Sequence, residues 1–285
     1  GSKNSKGRAI QNLINIEQDD KVKAFICTQD LKDEDYVNSH YVIMATKMGQ
    51  VKKTSLEQYS RPRSNGINAI TIKDDDELLE AKLTNGNSQI MLAVKSGKAI
   101  RFEENKTRPM GRNASGVRGI RLKDDKDEVV GMICVNDEES NVLVVSENGY
   151  GKRTQVSDYR RSGRGGQGVA NIETSERNGQ VMASFTVVEE DQLMLVTNMG
   201  QVIRIRVHGA EGDSIRIAGR KTQGVRLFDV ADDESEKVVS AGLVREADSE
   251  DELVEFYNSD FEVPLYQEKK TLRKATKVLN ELLNA

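Results

Sequence analysis

The apolar positions of this chain fall in short runs that recur at a period near 50 residues. One set is a six-residue block of β-branched and other apolar residues: YVIMAT from Tyr41, QIMLAV from Gln89, NVLVVS from Asn141 and QLMLVT from Gln192. Each block leads into a glycine, at Gly49, Gly97, Gly149 and Gly200, and a return stretch follows as VKKTS, AIRFE, GKRTQ or VIRIR. The pattern predicts four β-hairpins, with Asn148-Gly149 reading as a two-residue type I′ turn. A second apolar stretch opens each copy: KVKAFICT from Lys21, ELLEAKLT from Glu77, EVVGMICV from Glu128, QVMASFTV from Gln180, and once more KVVSAGLV from Lys237. Beyond each return strand runs an arm that closes on another glycine, Gly66, Gly116, Gly168 or Gly224, and leads into GINAITI, GVRGIRL, GVANIET or GVRLFDV. Repeats of this length mean stacked supersecondary units, as in propellers.

The expected organisation is all-β, a propeller-like array of four-stranded blades with a C-terminal helical tail. Residues 1–20 read as an expression scar, Gly1-Ser2, and the tail of a preceding blade, in which Lys6-Gly7-Arg8-Ala9-Ile10 resembles an arm end. Blades are expected at 21–76, 77–127, 128–178 and 179–236, and a closing strand and helical tail at 237–285. From Leu265 to Ala285 the spacing turns helical, with Leu265, Leu272, Ala275, Leu279 and Leu282 on one face. This helix either packs back on the domain or pairs with another chain. The acidic clusters Lys73–Asp76 and Lys123–Asp127 read as solvated turns between units.

Charge changes the picture. The whole chain carries −4, from 42 Lys and Arg against 46 Asp and Glu. The four arms, 50–66, 98–116, 150–168 and 201–224, hold 19 cations and 6 anions, so they carry +13 and the remainder −17. A cation stands four residues after every hairpin glycine: Lys53, Arg101, Arg153 and Arg204. Segregation of this kind marks a basic footprint on an acidic body and points to a polyanion partner. Glycines without a Cβ bring peptide N–H groups close to phosphate oxygens, and neighbouring arginines add bidentate contacts. No recognition helix accompanies the arms, so sequence-independent backbone binding is the expected mode.

Other chemistry is poorly supported. Gly163 to Gly168 spells G-x-G-x-x-G, but a dinucleotide site needs a strand before it and a helix after it, and here a basic stretch precedes and a strand follows. There is no Walker A sequence and no G-x-S-x-G elbow, and His40 and His208 are the only histidines. No catalytic or metal-binding residues are expected. Cys27 and Cys134 share an alignment column with Leu83, Thr186 and Leu243, and read as small core residues. The chain lacks tryptophan, the signature of a WD-type propeller, and has no apolar run of bilayer length.

GVRGIRL (116–122), NGYGKRT (148–154) and GRKTQGV (219–225) resemble the C-terminal domain of the DNA gyrase A subunit, and the resemblance covers about residues 6–244. It implies a β-pinwheel, in which blades circle an axis and neighbouring repeats exchange strands, usually six in gyrase. It implies a basic rim that wraps duplex DNA and presents it for strand passage, so that negative supercoils are introduced. It implies as partners duplex DNA, a dimer of A subunits and the gyrase B subunit, in the cytoplasm and on the nucleoid. No cofactor is expected in this domain; ATP and Mg²⁺ would be used elsewhere in the holoenzyme, as would the cleaving tyrosine. The topoisomerase IV A subunit is the alternative within the family, and a propeller that binds a protein partner the alternative outside it. The QRRGGKG box of the family's first blade is absent. A degenerate version is seen at Gly163, Arg164, Gly165, Gly166 and Gly168. The expected DNA contacts are Lys52, Lys53, Arg61, Arg63, Arg101, Arg108, Arg112, Lys152, Arg153, Arg160, Arg161, Arg164, Arg204, Arg206, Arg220 and Lys221.

Overall fold

A computed structural model describes residues 21–63, 66–209, 214–228 and 236–244. The preceding-blade tail at 1–20 and the helix at Leu265–Ala285 lie outside the described residues. All the strands among the described residues fall in one compact unit, Val22–Arg61 with Asn68–Glu246. Of the described residues, Lys21, Pro62, Arg63, Gly66 and Ile67 belong to a second unit.

Each six-residue block forms a strand over its full length: β1 Tyr41–Thr46, β4 Gln89–Val94, β8 Asn141–Ser146 and β12 Gln192–Thr197. The return strands are β2 Gln50–Ser55, β5 Lys98–Glu103, β9 Tyr150–Gln155 and β13 Val202–Arg206. The hairpin turn is longer than expected. Ser146 accepts the Gly149 N–H at 3.1 Å, and Gly149 sits at φ 76° while Asn148 does not have positive φ. That is a type I turn followed by a glycine in the left-handed region, and type I′ would need positive φ at both central residues. Thr46–Gly49, Val94–Gly97 and Thr197–Gly200 repeat the same bond.

The opening stretch of each repeat pairs with the hairpin before it. β3 (Leu78–Thr84), β7 (Val129–Val135), β11 (Val181–Val187) and β15 (Val238–Val244) lie antiparallel to β1, β4, β8 and β12. Two-residue strands from the following arm cap the far edge: β6 (Val117–Arg118) on β2, β10 (Val169–Ala170) on β5 and β14 (Val225–Arg226) on β9. Among the described residues the result is three four-stranded sheets and a three-stranded one, β13-β12-β15, each built from more than one sequence repeat. Sheet boundaries therefore cut across repeat boundaries. Lys21–Thr28 has no preceding hairpin among the described residues and forms no strand, so Cys27 is exposed rather than in a core. Residues Glu34–Ser39 instead form a short helix, α1, capped by the Asp33 carboxylate, which accepts the N–H groups of Asp35 and Tyr36.

Cores lie between successive sheets. Along β4, Ile90, Leu92 and Val94 pack toward Ile43 and Val51 of the first sheet, whereas Met91 and Ala93 pack toward Val142 and Val144 of the third. Along β8, Leu143 and Val145 pack toward Leu193 and Leu195 of the fourth. Successive side chains of a strand point to opposite faces, and here both faces are covered. That is why β4 and β8 read as continuous apolar runs rather than as alternating ones. The acidic turns are also more than solvated spacers. Asp127 is buried and accepts hydrogen bonds from the Ser96 N–H, the Ser96 hydroxyl and the Lys123 N–H, so it locks the preceding hairpin turn. Among the described residues no helix is long and apolar enough to cross a membrane.

Candidate nucleic-acid interface

The register cations do not line a surface in three of the four repeats. Lys53 is 4%, Arg101 2% and Arg153 4% exposed. Each reaches into the next repeat. Lys53 pairs with buried Glu104 at 3.4 Å. The Arg101 guanidinium donates to the carbonyls of Val156 and Tyr159 at 2.8 and 3.1 Å, and also binds Gln89 and Glu138. Arg153 donates from Nε to the Ile215 carbonyl at 2.7 Å. Their neighbours Lys52 and Lys152 are fully buried and end on backbone carbonyls, Ala69 and Arg112 for Lys52, Gly219 for Lys152. Burial, then the adjacent Arg112 charge, pulls the Lys52 ammonium down to about 8; burial and Arg220 do the same at Lys152. These five side chains are corrections to the expected set of DNA contacts. A residue four positions past the turn on a strand covered on both faces points into the seam between sheets, whatever its charge.

The closing glycines are likewise structural. Gly116, Gly168 and Gly224 have φ of 91°, 72° and 78°, and a Cβ there would stand 2.6, 2.4 and 2.8 Å from the backbone oxygens of Val51, Ala99 and Gly151. They are the points at which an arm crosses onto the return strand of the previous hairpin. Within the degenerate box, the Gly165 N–H is spent on the Gly119 carbonyl at 2.6 Å, and the Gly166 carbonyl accepts from Arg121 at 2.8 Å. Those backbone groups hold one arm to another, which corrects their reading as a phosphate nest.

What remains outside is a chain of arms in contact. Thr71, Arg121 and Glu173 each stand five residues past a closing glycine. Their N–H groups donate to Ala114, Gly166 and Thr222 of the following arm at 3.3, 2.8 and 3.0 Å. Each acceptor stands two residues before the next closing glycine. Two arginines repeat a second link: Arg164 and Arg220, both four residues before a closing glycine, donate from Nη1 to the carbonyls of Arg118 and Ala170 at 3.2 and 3.1 Å. Arg164 also donates from Nε to Lys106 at 2.9 Å. A guanidinium has five N–H donors, so these side chains anchor the arm and still carry their charge at its surface.

Of the expected contacts, Arg61, Arg63, Arg108, Arg160, Arg164, Arg204, Arg206 and Lys221 are exposed, and Arg112 and Arg220 half-buried. Arg63 belongs to the smaller unit and Arg61 to the larger. Arg161 is exposed but paired with Glu103 and Glu138, and its hydrogen bond to Glu138 raises its pKa further. Arg204 binds Gln192 on its own hairpin. Three exposed cations of the same edge were not expected: Arg118 and Arg226 on the two-residue strands β6 and β14, and Arg121 in the arm-to-arm ladder. The signal was present as arginine two and five positions past a closing glycine, outside the stretch counted as an arm. Among the described residues no group of His, Cys, Asp and Glu is placed to hold a metal ion.

Antiparallel four-stranded blades that borrow edge strands from the next repeat define a β-pinwheel. The model of the family described as DNA gyrase C-terminal domain, beta-propeller, matches residues 40–85, 89–136, 140–187 and 191–245, so the chain belongs to that family. Each match runs from a hairpin to the next repeat's opening strand, which is the frame of the sheets. The DNA gyrase A subunit of Staphylococcus epidermidis is 45% identical over 232 residues, covering 81% of this chain and 25% of that protein. That of Haemophilus influenzae is 40% identical over 281 residues, covering 89% and 30%. The chain thus spans less than a third of the curated relatives it matches. Among solved structures, the C-terminal domain of DNA topoisomerase IV has a TM-score of 0.76 at 24% identity, covering 89% of this chain and 75% of that one. A DNA gyrase A C-terminal domain scores 0.69 at 23% identity, covering 84% and 75%. These two likenesses show the fold.

Proposed function

We propose that this chain binds duplex DNA without regard to sequence and bends it along the linked arms, serving as the DNA-wrapping C-terminal domain of a gyrase A polypeptide. The observation that carries the reading is the ladder from Thr71 to Ala114, Arg121 to Gly166 and Glu173 to Thr222, which joins the basic arms edge to edge. Exposed Arg118, Arg121, Arg164, Lys221 and Arg226 stand on that edge. Bending a 20–30 base-pair site by 40–90° costs on the order of 1–6 kcal/mol, which several arms can share where one could not. In the intact enzyme the wrapped segment would be passed through a gate made elsewhere in the dimer of A subunits, with ATP and Mg²⁺ used by the B subunit, to introduce negative supercoils. Such an enzyme works on the nucleoid in the cytoplasm. Relatives named gyrase A at 40–45% identity favour gyrase over topoisomerase IV.

A salt titration of binding to random-sequence duplex tests this. If about 6–10 phosphates are contacted, affinity falls roughly 10³–10⁵-fold between 50 and 200 mM salt. A shallow slope, or strong preference among sequences of equal length, would overturn it. Accelerated ligase-mediated circularisation of short duplexes would report the bend.

A further inference from the structure

We propose that Lys52 and Lys152 are positioning residues, which hold the arms as a continuous DNA-binding edge from beneath and never touch DNA. The inference rests on the DNA-binding reading above. Both lysines stand three residues past a hairpin glycine and are 0% exposed. Lys52 donates to the carbonyls of Ala69 and Arg112, both at 2.5 Å, and so ties the first arm to the second. Lys152 donates to Gly219 at the turn of the fourth arm, and neighbouring Thr154 donates to Ala218 at 2.8 Å.

Neither ammonium has a carboxylate partner within ion-pair distance among the described residues. A buried cation met only by carbonyls is costly, and a chain needing only stability is served as well by an apolar side chain. The second repeat shows that substitution. There the same position is Ile100, 2% exposed, and it packs 3.6 Å from where a Cβ on Gly166 would lie. The arm above Ile100 keeps the arginine link alone, from Arg164 to Lys106 and Arg118, whereas the fourth arm has both Arg220 and Lys152. An ammonium with three donors gathers loop carbonyls of the arm that crosses it, alongside the Tyr59 hydroxyl at Ala69 and the Thr222 hydroxyl at Gly219, and so fixes the spacing of that arm.

The test compares wild type, Lys52→Met, Lys152→Met and the exposed-arm variant Arg121→Ala. Affinity for random-sequence duplex is measured from 50 to 200 mM salt, and amide hydrogen exchange in the absence of DNA. The lysine variants are expected to bind several-fold more weakly with the wild-type salt slope, because no phosphate contact is lost. Arg121→Ala should reduce the slope by about 0.9. Exchange should quicken at residues 112–114 in Lys52→Met and 219–222 in Lys152→Met, with β1, β4 and β8 unchanged. A slope reduced by about 0.9 in a lysine variant makes that lysine a phosphate contact and overturns the inference, as does unchanged affinity or unchanged exchange. Should methionine cost the fold, Lys→Gln keeps a buried donor and gives the same readouts in weaker form. Wild type that binds no DNA would overturn the proposed function, and the exchange arm would still decide whether the lysines clamp the arms.

Discussion

The Lys53 ammonium lies 3.4 Å from the Glu104 carboxylate, with the two side chains 5% and 0% exposed, and it ties one sheet to the next. Glu104 also accepts from the Thr84 hydroxyl at 2.7 Å and the Ser88 N–H at 3.1 Å, while Lys53 packs 4.6 Å from the Tyr41 ring centroid. Removing one member of such a pair strands the other, at a cost on the order of 3–5 kcal/mol. Lys53→Met and Glu104→Gln should each destabilise by that order in urea unfolding, and the double variant by clearly less than the sum. Additive losses would show that the two do not act as a pair. The DNA salt slope of Lys53→Met should match wild type.

Gly168 is a backbone requirement. Alanine there meets the Ala99 carbonyl at 2.4 Å and must also hold φ near 72°. The left-handed conformation alone costs roughly 1–2 kcal/mol, and the clash adds to it. Gly163, with nothing within 4 Å of a new Cβ, should accept alanine within about 0.5 kcal/mol. Equal melting temperatures for Gly168→Ala and Gly163→Ala would refute the crossing geometry.

Glu138 titrates far below an ordinary carboxylate. Partial burial would raise it, but hydrogen bonds from Arg101, Gln89 and Arg161 outweigh that and hold it at about 2. A depressed acid contributes stability above its unfolded value near 4.5, lost as pH falls through about 2. Wild type should therefore lose stability between pH 4.5 and 2 more steeply than Glu138→Gln, measured by urea midpoints. Parallel acid limbs would count against the pair.

Lys52 and Lys152 predict the opposite limb. Their folded values near 8 lie below the ordinary 10.5, so the unfolded chain binds more protons between those limits and stability rises with pH across that window. Lys52→Met should flatten the rise, and Lys52→Met with Lys152→Met flatten it further. Denaturant midpoints from about pH 7.5 to 10.5 provide the check.

The two thiols should separate. Cys27 is exposed, whereas burial pushes the Cys134 thiol up to about 12. Thiolate is the reactive form, so a thiol reagent at about pH 8 should modify one cysteine in the native protein and two in denaturant. Two fast native modifications would contradict the packing of β7.

Much of the fold is legible along the chain. The first strand of each hairpin is legible to the residue, because β-branched blocks bounded by a glycine turn leave the backbone few alternatives. The opening stretches are legible as strands, but their partners are not. KVKAFICT and EVVGMICV look alike, yet only the second follows a hairpin among the described residues, and only the second forms a strand. Pairing is a non-local property. The basic edge is legible as an accumulation of charge, while the individual residues sort poorly: Arg101 and Arg164 both follow glycines in basic arms, yet one is 2% exposed and the other lies outside.

Local order thus dictated the repeat, the turns and the surplus of positive charge on each arm, since these follow from side-chain shape, left-handed glycines and composition within a few residues. Stacking decided the rest. In the first three sheets, where the return strand is covered on both faces, the fourth position past the turn lies in a seam and the cation there ties one repeat to the next, whereas Arg204 on the half-covered β13 stays exposed. The arm loops lie along the return strands and are joined through Thr71, Arg121 and Glu173, and they keep cations such as Arg121, Arg164 and Lys221 exposed. Which lysine is buried depends on what packs above it, and no stretch of chain carries that information alone.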